Sequence, residues 1–116
     1  MSPKSRSAAV AKRAAHAPVF AALGDETRLS LVAKLCAGEP RSISQLTRGS
    51  RLTRQAITKH LQVLERAEIV HSVHRGRESL FRLNPAPIEE MKKYLDQVSE
   101  QWDRALARLK AFVEGN

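Results

Sequence analysis

The spacing of apolar residues along the chain predicts mostly helices with one pair of short strands. Apolar positions recur at intervals of three and four in five stretches, as on one face of an α-helix. Two later runs rich in Val, Ile, Phe and Leu are separated by a glycine-containing turn, as in a β-hairpin. The pattern predicts helices over about residues 18–23, 26–37, 42–48, 54–67 and 88–112, and strands over residues 69–74 and 79–83. The predicted fold class is therefore mainly α with a small β-hairpin.

Polar residues that cap helix N-termini precede three of these segments. Asp25, Ser42 and Thr53 can each accept hydrogen bonds from the free backbone amides of the following turn. Gln45, three residues after Ser42, completes the pattern of a capping box. These caps predict where the second, third and fourth helices begin.

The fourth predicted helix has two faces of opposite character. Its inner face is apolar apart from His60. Its outer face carries side chains that donate hydrogen bonds: Arg54, Gln55, Thr58, Lys59 and Gln62. This face indicates a polar partner, although a solvated helix in a small bundle would have the same pattern.

The third and fourth helices, with a turn at residues 49–52, have the lengths of a helix-turn-helix motif. Arg54 and Gln55 begin the second of them, where Arg can bind guanine and Gln can bind adenine in the major groove. The predicted hairpin follows directly, and Arg75 and Arg77 flank Gly76 at its tip, as in a wing that contacts phosphates or the minor groove. The candidate DNA-binding residues are Arg51, Arg54, Gln55, Thr58, Lys59, His60, Gln62, Arg75 and Arg77.

The last predicted helix has a narrow apolar stripe. Eight apolar residues from position 88 to position 112 follow one another at alternating steps of three and four. This is the a/d pattern of a helix that packs against another helix, and it predicts a homodimer. The candidate dimerisation residues are Phe20, Met91, Leu95, Val98, Trp102, Leu106, Leu109 and Phe112.

Composition and charge favour a folded domain that binds a polyanion. The chain has 116 residues, of which 42% are apolar, and its 20 Lys and Arg against 12 Asp and Glu give a formal charge of +8. Residues 1–84 hold 15 Lys and Arg against 6 Asp and Glu, whereas residues 85–116 hold 5 against 6. A membrane-surface role predicts a basic amphipathic helix, but the long helix is charge-balanced. Nucleic acid is therefore the better partner.

Several protein classes are excluded by what the sequence lacks. No apolar run reaches the roughly 18 residues that span a bilayer, and no apolar segment follows the first charges as in a signal peptide. We therefore expect a cytoplasmic protein with no membrane partner. The sequence has no serine-base-acid grouping, glycine-rich phosphate loop or paired carboxylates in an apolar setting, so we expect neither an enzyme nor a cofactor.

The cysteine and the histidines have mainly structural interpretations. Cys36 lies on the predicted apolar face of the second helix, so we expect a buried thiol, with a redox-sensing thiol as the alternative. His71 and His74 are three positions apart on a strand and face opposite sides, so they cannot bind one metal ion together. His60 is expected to pack in the interior or to bond a phosphate.

The first residues of the chain predict a flexible arm. Residues 1–14 combine basic side chains with alanines and show no large apolar periodicity. Such an arm is either only solvated or touches phosphates. The predicted organisation is an arm over residues 1–14, a DNA-binding domain over residues 15–84 and a dimerisation helix over residues 85–116.

Three segments together resemble the ArsR/SmtB family of transcription repressors. They are residues 20–29 (FAALGDETRL), residues 52–64 (LTRQAITKHLQVL), and Arg75-Gly76-Arg77 with Phe81-Arg82-Leu83. The resemblance covers about residues 17–113. It implies a homodimeric winged helix-turn-helix repressor, dimerised by its first and last helices, on a double-stranded DNA operator with two half-sites. It also implies a protein associated with the bacterial nucleoid.

The chain departs from the family's metal-sensing patterns. The third-helix segment 44–47 (SQLT) has no cysteine, and residues 88–113 contain neither histidine nor cysteine. Residues 101–110 (QWDRALARLK) instead resemble a non-metal branch whose members often repress their own operons. Glu68 stands where the family commonly has glycine, which predicts a helix cap without a left-handed turn. The alternatives are a regulator that responds to redox state or a small molecule, and a helical adaptor without DNA readout.

Overall fold

The computed structural model describes residues 3–115, and it confirms a mainly helical fold with a small antiparallel sheet. The described residues contain five helices and three strands. In chain order these are α1 (Pro3–Leu23), α2 (Glu26–Leu35), β1 (Arg41–Ser42), α3 (Ile43–Thr47), α4 (Arg54–Arg66), β2 (Val70–Arg75), β3 (Glu78–Leu83) and α5 (Pro85–Glu114). No helix among the described residues is long and apolar enough to cross a bilayer.

The predicted helix caps are confirmed. The Asp25 carboxylate accepts from the Arg28 amide at 3.0 Å, and the Thr53 hydroxyl accepts from the Ala56 amide at 3.1 Å. Ser42 and Gln45 bond each other's backbone amides at 3.2 Å and 2.9 Å, which is the capping box. Because each cap satisfies amides that the helix itself cannot, these three positions set the starts of α2, α3 and α4.

Helix α1 begins much earlier than the apolar pattern predicts. The structure has one continuous helix from Pro3 to Leu23, with Pro18 inside it. Most residues predicted as an arm over 1–14 are therefore helical, while residues 1 and 2 lie outside the described part. The segment is rich in alanine, the strongest helix former, which explains a helix without a large apolar stripe.

The sheet has a third strand that the sequence analysis missed. The strand order is β1-β3-β2, and all neighbours are antiparallel. The predicted hairpin is present, but its loop is shorter than predicted because Arg75 pairs with Glu78. Gly76 and Arg77 remain as a two-residue loop, and Gly76 has a φ of 61°, which favours glycine. Strand β1 has only two residues, too few for a periodic pattern.

The core lies between α2, α3, α4 and the sheet. Its fully buried side chains are Leu31, Leu35, Leu46, Ile57, Leu61, Leu64, Ile69 and Val70. The apolar spacing of α2 predicts a buried face of Leu29, Val32, Leu35 and Cys36; Leu35 is buried and Val32 packs against the core, but Leu29 is 53% exposed and Leu31 is buried instead. The prediction that Cys36 is buried is wrong, because this residue forms the C-cap of α2 and is exposed. A ten-residue helix has too few turns for its apolar spacing alone to select the buried face.

The predicted absence of a left-handed turn after α4 is also wrong. Glu68 has a φ of 62°. Its amide bonds the Glu65 carbonyl at 2.9 Å, and the Ile69 amide bonds the Leu64 carbonyl at 3.0 Å. These two bonds form a Schellman motif, which requires the left-handed residue whatever its side chain.

Helices α1 and α5 contact each other through aromatic rings. The ring centroid of Tyr94 lies 4.7 Å from that of His16 and 6.1 Å from that of Phe20. Further along, the Lys12 ammonium donates to the Gln97 side-chain oxygen at 3.2 Å. Asn84 caps α5, and the two prolines at its start are tolerated there because first-turn amides need no partner within the helix.

Candidate nucleic-acid interface

The outer face of α4 is presented as the sequence predicts. Arg54, Gln55, Lys59 and Gln62 are exposed, while Ile57, Leu61 and Leu64 hold the opposite face in the core. Thr58 is half-buried, and its hydroxyl donates to the Arg54 carbonyl at 2.7 Å. At about 100° per residue, these five side chains share one side of the helix.

The electrostatics of this face are positive. Residues 54–64 include no acidic side chain. The free amides at the N-terminus of α4 add a partial positive charge next to Arg54. The face can therefore attract phosphates and donate hydrogen bonds to base edges.

The turn before α4 places Arg51 beside this face. Gly49 has a φ of 78°, and the Ser50 amide bonds the Thr47 carbonyl at 2.9 Å. The Leu52 amide then donates to the Ser50 hydroxyl at 3.0 Å. These bonds order the turn between α3 and α4 and leave Arg51 exposed.

The hairpin and α3 border a polar cleft of about 440 Å³. Arg75 lines this cleft with Arg48, the C-cap residue of α3, which the sequence analysis missed. Glu78 is the acidic residue of the lining. Arg77 is exposed at the hairpin tip. The sequence shows Arg48 as a basic residue at the end of a predicted helix. That it shares a cleft with Arg75 depends on how the hairpin packs against α3, which the sequence does not show.

His60 lies apart from the other predicted DNA-binding residues of α4. It is six residues after Arg54, on the flank of the buried face rather than the outer face. Its Nδ1 is 3.2 Å from Nη1 of Arg28 and 3.7 Å from the carboxylate of Asp25. This contact ties α4 to the start of α2.

Asp25 is the residue of this contact whose pKa is shifted. The backbone amide of Arg28 bonds the Asp25 carboxylate and holds its pKa below the ordinary value. Partial desolvation opposes this shift, the positive charge of Arg28 supports it, and His60 adds to it only when its ring is protonated. The carboxylate therefore stays charged and capped at neutral pH.

The predicted dimerisation residues divide into two groups. Met91 is only 5% exposed and packs inside the chain's own fold, while Phe20 in α1 and Val98, which lies beside α1, are half-buried. The remaining members are exposed on α5: Leu95, Trp102, Leu106, Leu109 and Phe112. Every residue from 99 to 115 is exposed. An apolar stripe of this size on the surface indicates a protein partner.

In the described part of the chain, no group of three or more His, Cys, Asp and Glu side chains could hold a metal ion. His71 pairs across the sheet with Arg82, and His74 pairs with Ser79.

Comparison with known proteins identifies the same elements. The family described as "Helix-turn-helix domain" matches residues 23–73, which include all of α2, α3 and α4. The HTH-type transcriptional regulator Rv2034 of Mycobacterium tuberculosis is 33% identical over 85 residues, which is 73% of this chain and 76% of that protein. The HTH-type transcriptional regulator YuzN of Bacillus subtilis is 35% identical over 81 residues, covering 65% of this chain and 88% of that protein.

A solved structure extends the similarity to nearly the whole chain. It is an ArsR-like transcriptional regulator from Rhodococcus sp. RHA1, with 38% identity and a TM-score of 0.78. The match covers 92% of this chain and 97% of that one. The similarity therefore includes both terminal helices as well as the helix-turn-helix.

Proposed function

Because the chain belongs to the ArsR-type winged helix-turn-helix transcriptional regulators, we propose that it is a homodimeric repressor of an inverted-repeat DNA operator. The observation that carries this proposal is the outer face of α4, which is exposed, basic at its start and supported from behind by buried leucines. Such a helix fits the major groove, with its first residues at the base edges.

The contacts divide by the chemistry of the side chains. Arg54 and Gln55, at the start of α4, suit guanine and adenine edges, while Lys59 suits a phosphate or a base one turn later. Arg51, Arg77, Arg48 and Arg75 lie outside α4 and suit phosphates, which position the protein without reading sequence. Repression then follows from occupying the operator.

The exposed half of α5 supports a homodimer. Trp102 and Leu109 are 65% and 58% exposed in the single chain. Burying side chains of this size stabilises an interface by roughly 1.5–3 kcal/mol each before entropy. A second copy that packs α5 against α5, with α1 alongside, covers this stripe and gives two recognition helices related by a two-fold axis.

We infer that the effector, if the repressor has one, is not a transition metal. Residues 44–47 and 88–113 lack the thiol and imidazole ligands that the family's metal sensors carry there. A helical adaptor without DNA readout would use the α5 stripe but would leave the basic faces of α4 and the hairpin without a role.

The proposal is tested by selecting bound duplexes from a random library and measuring their affinity by fluorescence anisotropy. We expect an inverted repeat whose half-site centres are about one helical turn, roughly 34 Å, apart. Recovery of no duplex sequence above the random background would overturn the proposal.

Two substitutions separate base readout from phosphate contact. Gln55→Ala should weaken the selected duplex by about 1–3 kcal/mol and relax the preference at one base pair. Arg77→Ala should weaken binding to selected and random duplexes alike. It should also reduce the slope of log affinity against log salt concentration by about one, because one phosphate contact is lost. Equal effects of Gln55→Ala on both duplexes would show that α4 does not read bases.

A further inference from the structure

Arg28 joins three helices at the corner between α1 and α2. Its Nε donates to the Ala22 carbonyl in the last turn of α1, and its Nη1 contacts Nδ1 of His60 in the middle of α4. Its own amide is capped by Asp25 at the start of α2. One side chain from α2 therefore bonds both α1 and the recognition helix.

The chemistry of these bonds makes them directional. A guanidinium is a planar fork that cannot lose its proton in proteins, so it presents two fixed N–H groups to two different acceptors. Because Nη1 can only donate, a hydrogen bond between it and Nδ1 of His60 requires that Nδ1 accepts and that the ring proton lies on Nε2, whereas a proton on Nδ1 would point the ring at the Asp25 carboxylate 3.7 Å away. The Ala22 carbonyl lies in the last turn of α1, where carbonyls lack a partner within the helix.

Apart from this contact, α1 and α4 meet through small apolar side chains. Ala21, Ala22, Val63 and Ala67 line a shallow apolar cleft between the two helices, together with Pro18 and Arg66. Ile57, Leu61 and Leu64 hold the other side of α4 in the core, and the small apolar side chains of the cleft make no hydrogen bonds to fix its angle to α1. Among the described residues, the bonds of Arg28 are therefore directional contacts that bridge α1 and the middle of α4.

We propose that Arg28 is a positioning residue that sets the orientation of α4 relative to α1, and thereby the spacing of the two half-sites that a dimer accepts. The inference rests on the proposed function, because it needs a dimer formed through α1 and α5. In such a dimer the two recognition helices are held apart through α1 of each protomer. A rotation of α4 at the Arg28–His60 contact occurs in both protomers. Both rotations therefore add to the change in the separation of the two recognition helices.

The test uses the selected operator and versions with one or two base pairs inserted between the half-sites. Each inserted pair moves the half-sites by about 3.4 Å and rotates them by about 35°. We expect the wild-type dimer to lose at least about tenfold in affinity for each insertion, as for a mismatched base pair. Arg28→Gln should reduce this discrimination to within about threefold while retaining the affinity for an isolated half-site.

Three further variants control for charge and for structure. Lys92→Gln removes one positive charge from an exposed position in the first half of α5 and should keep the wild-type discrimination. His60→Leu removes the acceptor from the other side of the contact and should act like Arg28→Gln. His60→Gln retains a side-chain oxygen that can accept from Arg28, so it should restore part of the discrimination.

The tautomer of His60 provides a readout that is independent of DNA. Long-range ¹H–¹⁵N correlation spectra of the free wild-type protein should show a His60 ring protonated at Nε2 with an accepting Nδ1. In Arg28→Gln these ring signals should move towards those of a solvated histidine. Circular dichroism and light scattering establish whether each variant is folded and dimeric. If Arg28→Gln is unfolded or monomeric, the discrimination measured for His60→Leu tests the inference instead.

The possible outcomes separate this inference from the function on which it rests. If no duplex is selected, the proposed function is wrong. If duplexes are bound and both Arg28→Gln and His60→Leu keep the wild-type penalty for inserted base pairs, Arg28 does not set the spacing. A wild-type His60 protonated at Nδ1 alone would also overturn the inference, because Nδ1 could not then accept.

Discussion

Glu68 has a side chain at a backbone position that favours glycine. Its φ of 62° completes the Schellman motif at the end of α4, and its carbonyl accepts from the Asn84 side chain at 2.9 Å. A residue with a Cβ loses roughly 1–2 kcal/mol in this conformation. The left-handed residue is nevertheless needed, because it ends α4 and directs the chain into strand β2 of the hairpin.

Replacing Glu68 by glycine should therefore stabilise the protein. We expect Glu68→Gly to raise the free energy of unfolding by about 1 kcal/mol, because the left-handed conformation is then unstrained. Urea denaturation followed by circular dichroism measures the change. Glu68→Ala retains the Cβ and is the control, and a gain of the same size in Glu68→Ala would assign the effect to the lost charge instead.

Asp25 should make the stability depend on pH in the acid range. Its pKa is lowered in the folded protein, chiefly by the Arg28 amide, so folding favours the charged carboxylate. The resulting stability is present above the unfolded pKa, close to 4, and is lost as the pH falls through the folded pKa.

Substitutions that keep the cap but cannot titrate should remove this dependence. We expect the urea midpoints of Asp25→Asn and Asp25→Ser to fall less steeply than the wild-type midpoint between about pH 5 and pH 3. Asp25→Ala also loses the cap and should be less stable than both at neutral pH. If the urea midpoints of the wild type and Asp25→Asn fell equally steeply over this pH range, titration of Asp25 would not be the cause of the pH dependence.

At the scale of elements, α5 consists of two parts with different surroundings. Its first half packs against α1 through Tyr94 and buries Met91, whereas each residue from 99 to 115 is exposed. The a/d pattern continues through both parts, so the spacing of apolar residues does not mark the point where intramolecular packing ends.

A charge on the exposed stripe should separate the dimer without unfolding the protomer. Leu109→Glu should raise the dissociation constant by on the order of 10² to 10⁴, because two leucines per dimer lose about 1.5–3 kcal/mol each. Light scattering at micromolar concentration measures the mass. Ala107→Glu adds the same charge about 200° around the helix and should remain dimeric. A wild-type monomer would refute the interface itself.

At the scale of the whole molecule, charge and apolar surface are separated. The excess of Lys and Arg lies in residues 1–84, and the exposed apolar stripe lies in α5. A dimer formed through α5 therefore leaves the basic faces of both protomers open to DNA.

The affinity for DNA should accordingly fall steeply with salt. If each protomer contacts three to five phosphates, the dimer should lose a factor on the order of 10³ to 10⁵ between 50 and 200 mM salt. Fluorescence anisotropy of the selected duplex over this range gives the slope. A nearly flat dependence would show that phosphate contacts contribute little to binding.

Local features of the fold were predictable from the sequence because their causes are local. The caps at Asp25, Ser42 and Thr53 act on amides within three residues, and the two faces of α4 follow from its 3.6-residue period. The hairpin follows from two strands around Gly76. These signals act within a few residues, so they indicate the elements without knowledge of which elements pack together, although packing is what stabilises them.

Tertiary structure decided the features whose partners are distant in sequence. Strand β1 exists because β3 pairs with it, and Met91 is buried while Trp102 is exposed because α1 and the domain cover only the first half of α5. Arg28 and His60 meet across 32 positions of the chain. Each of these contacts depends on how whole elements pack against each other, which periodicity and capping within one element do not specify.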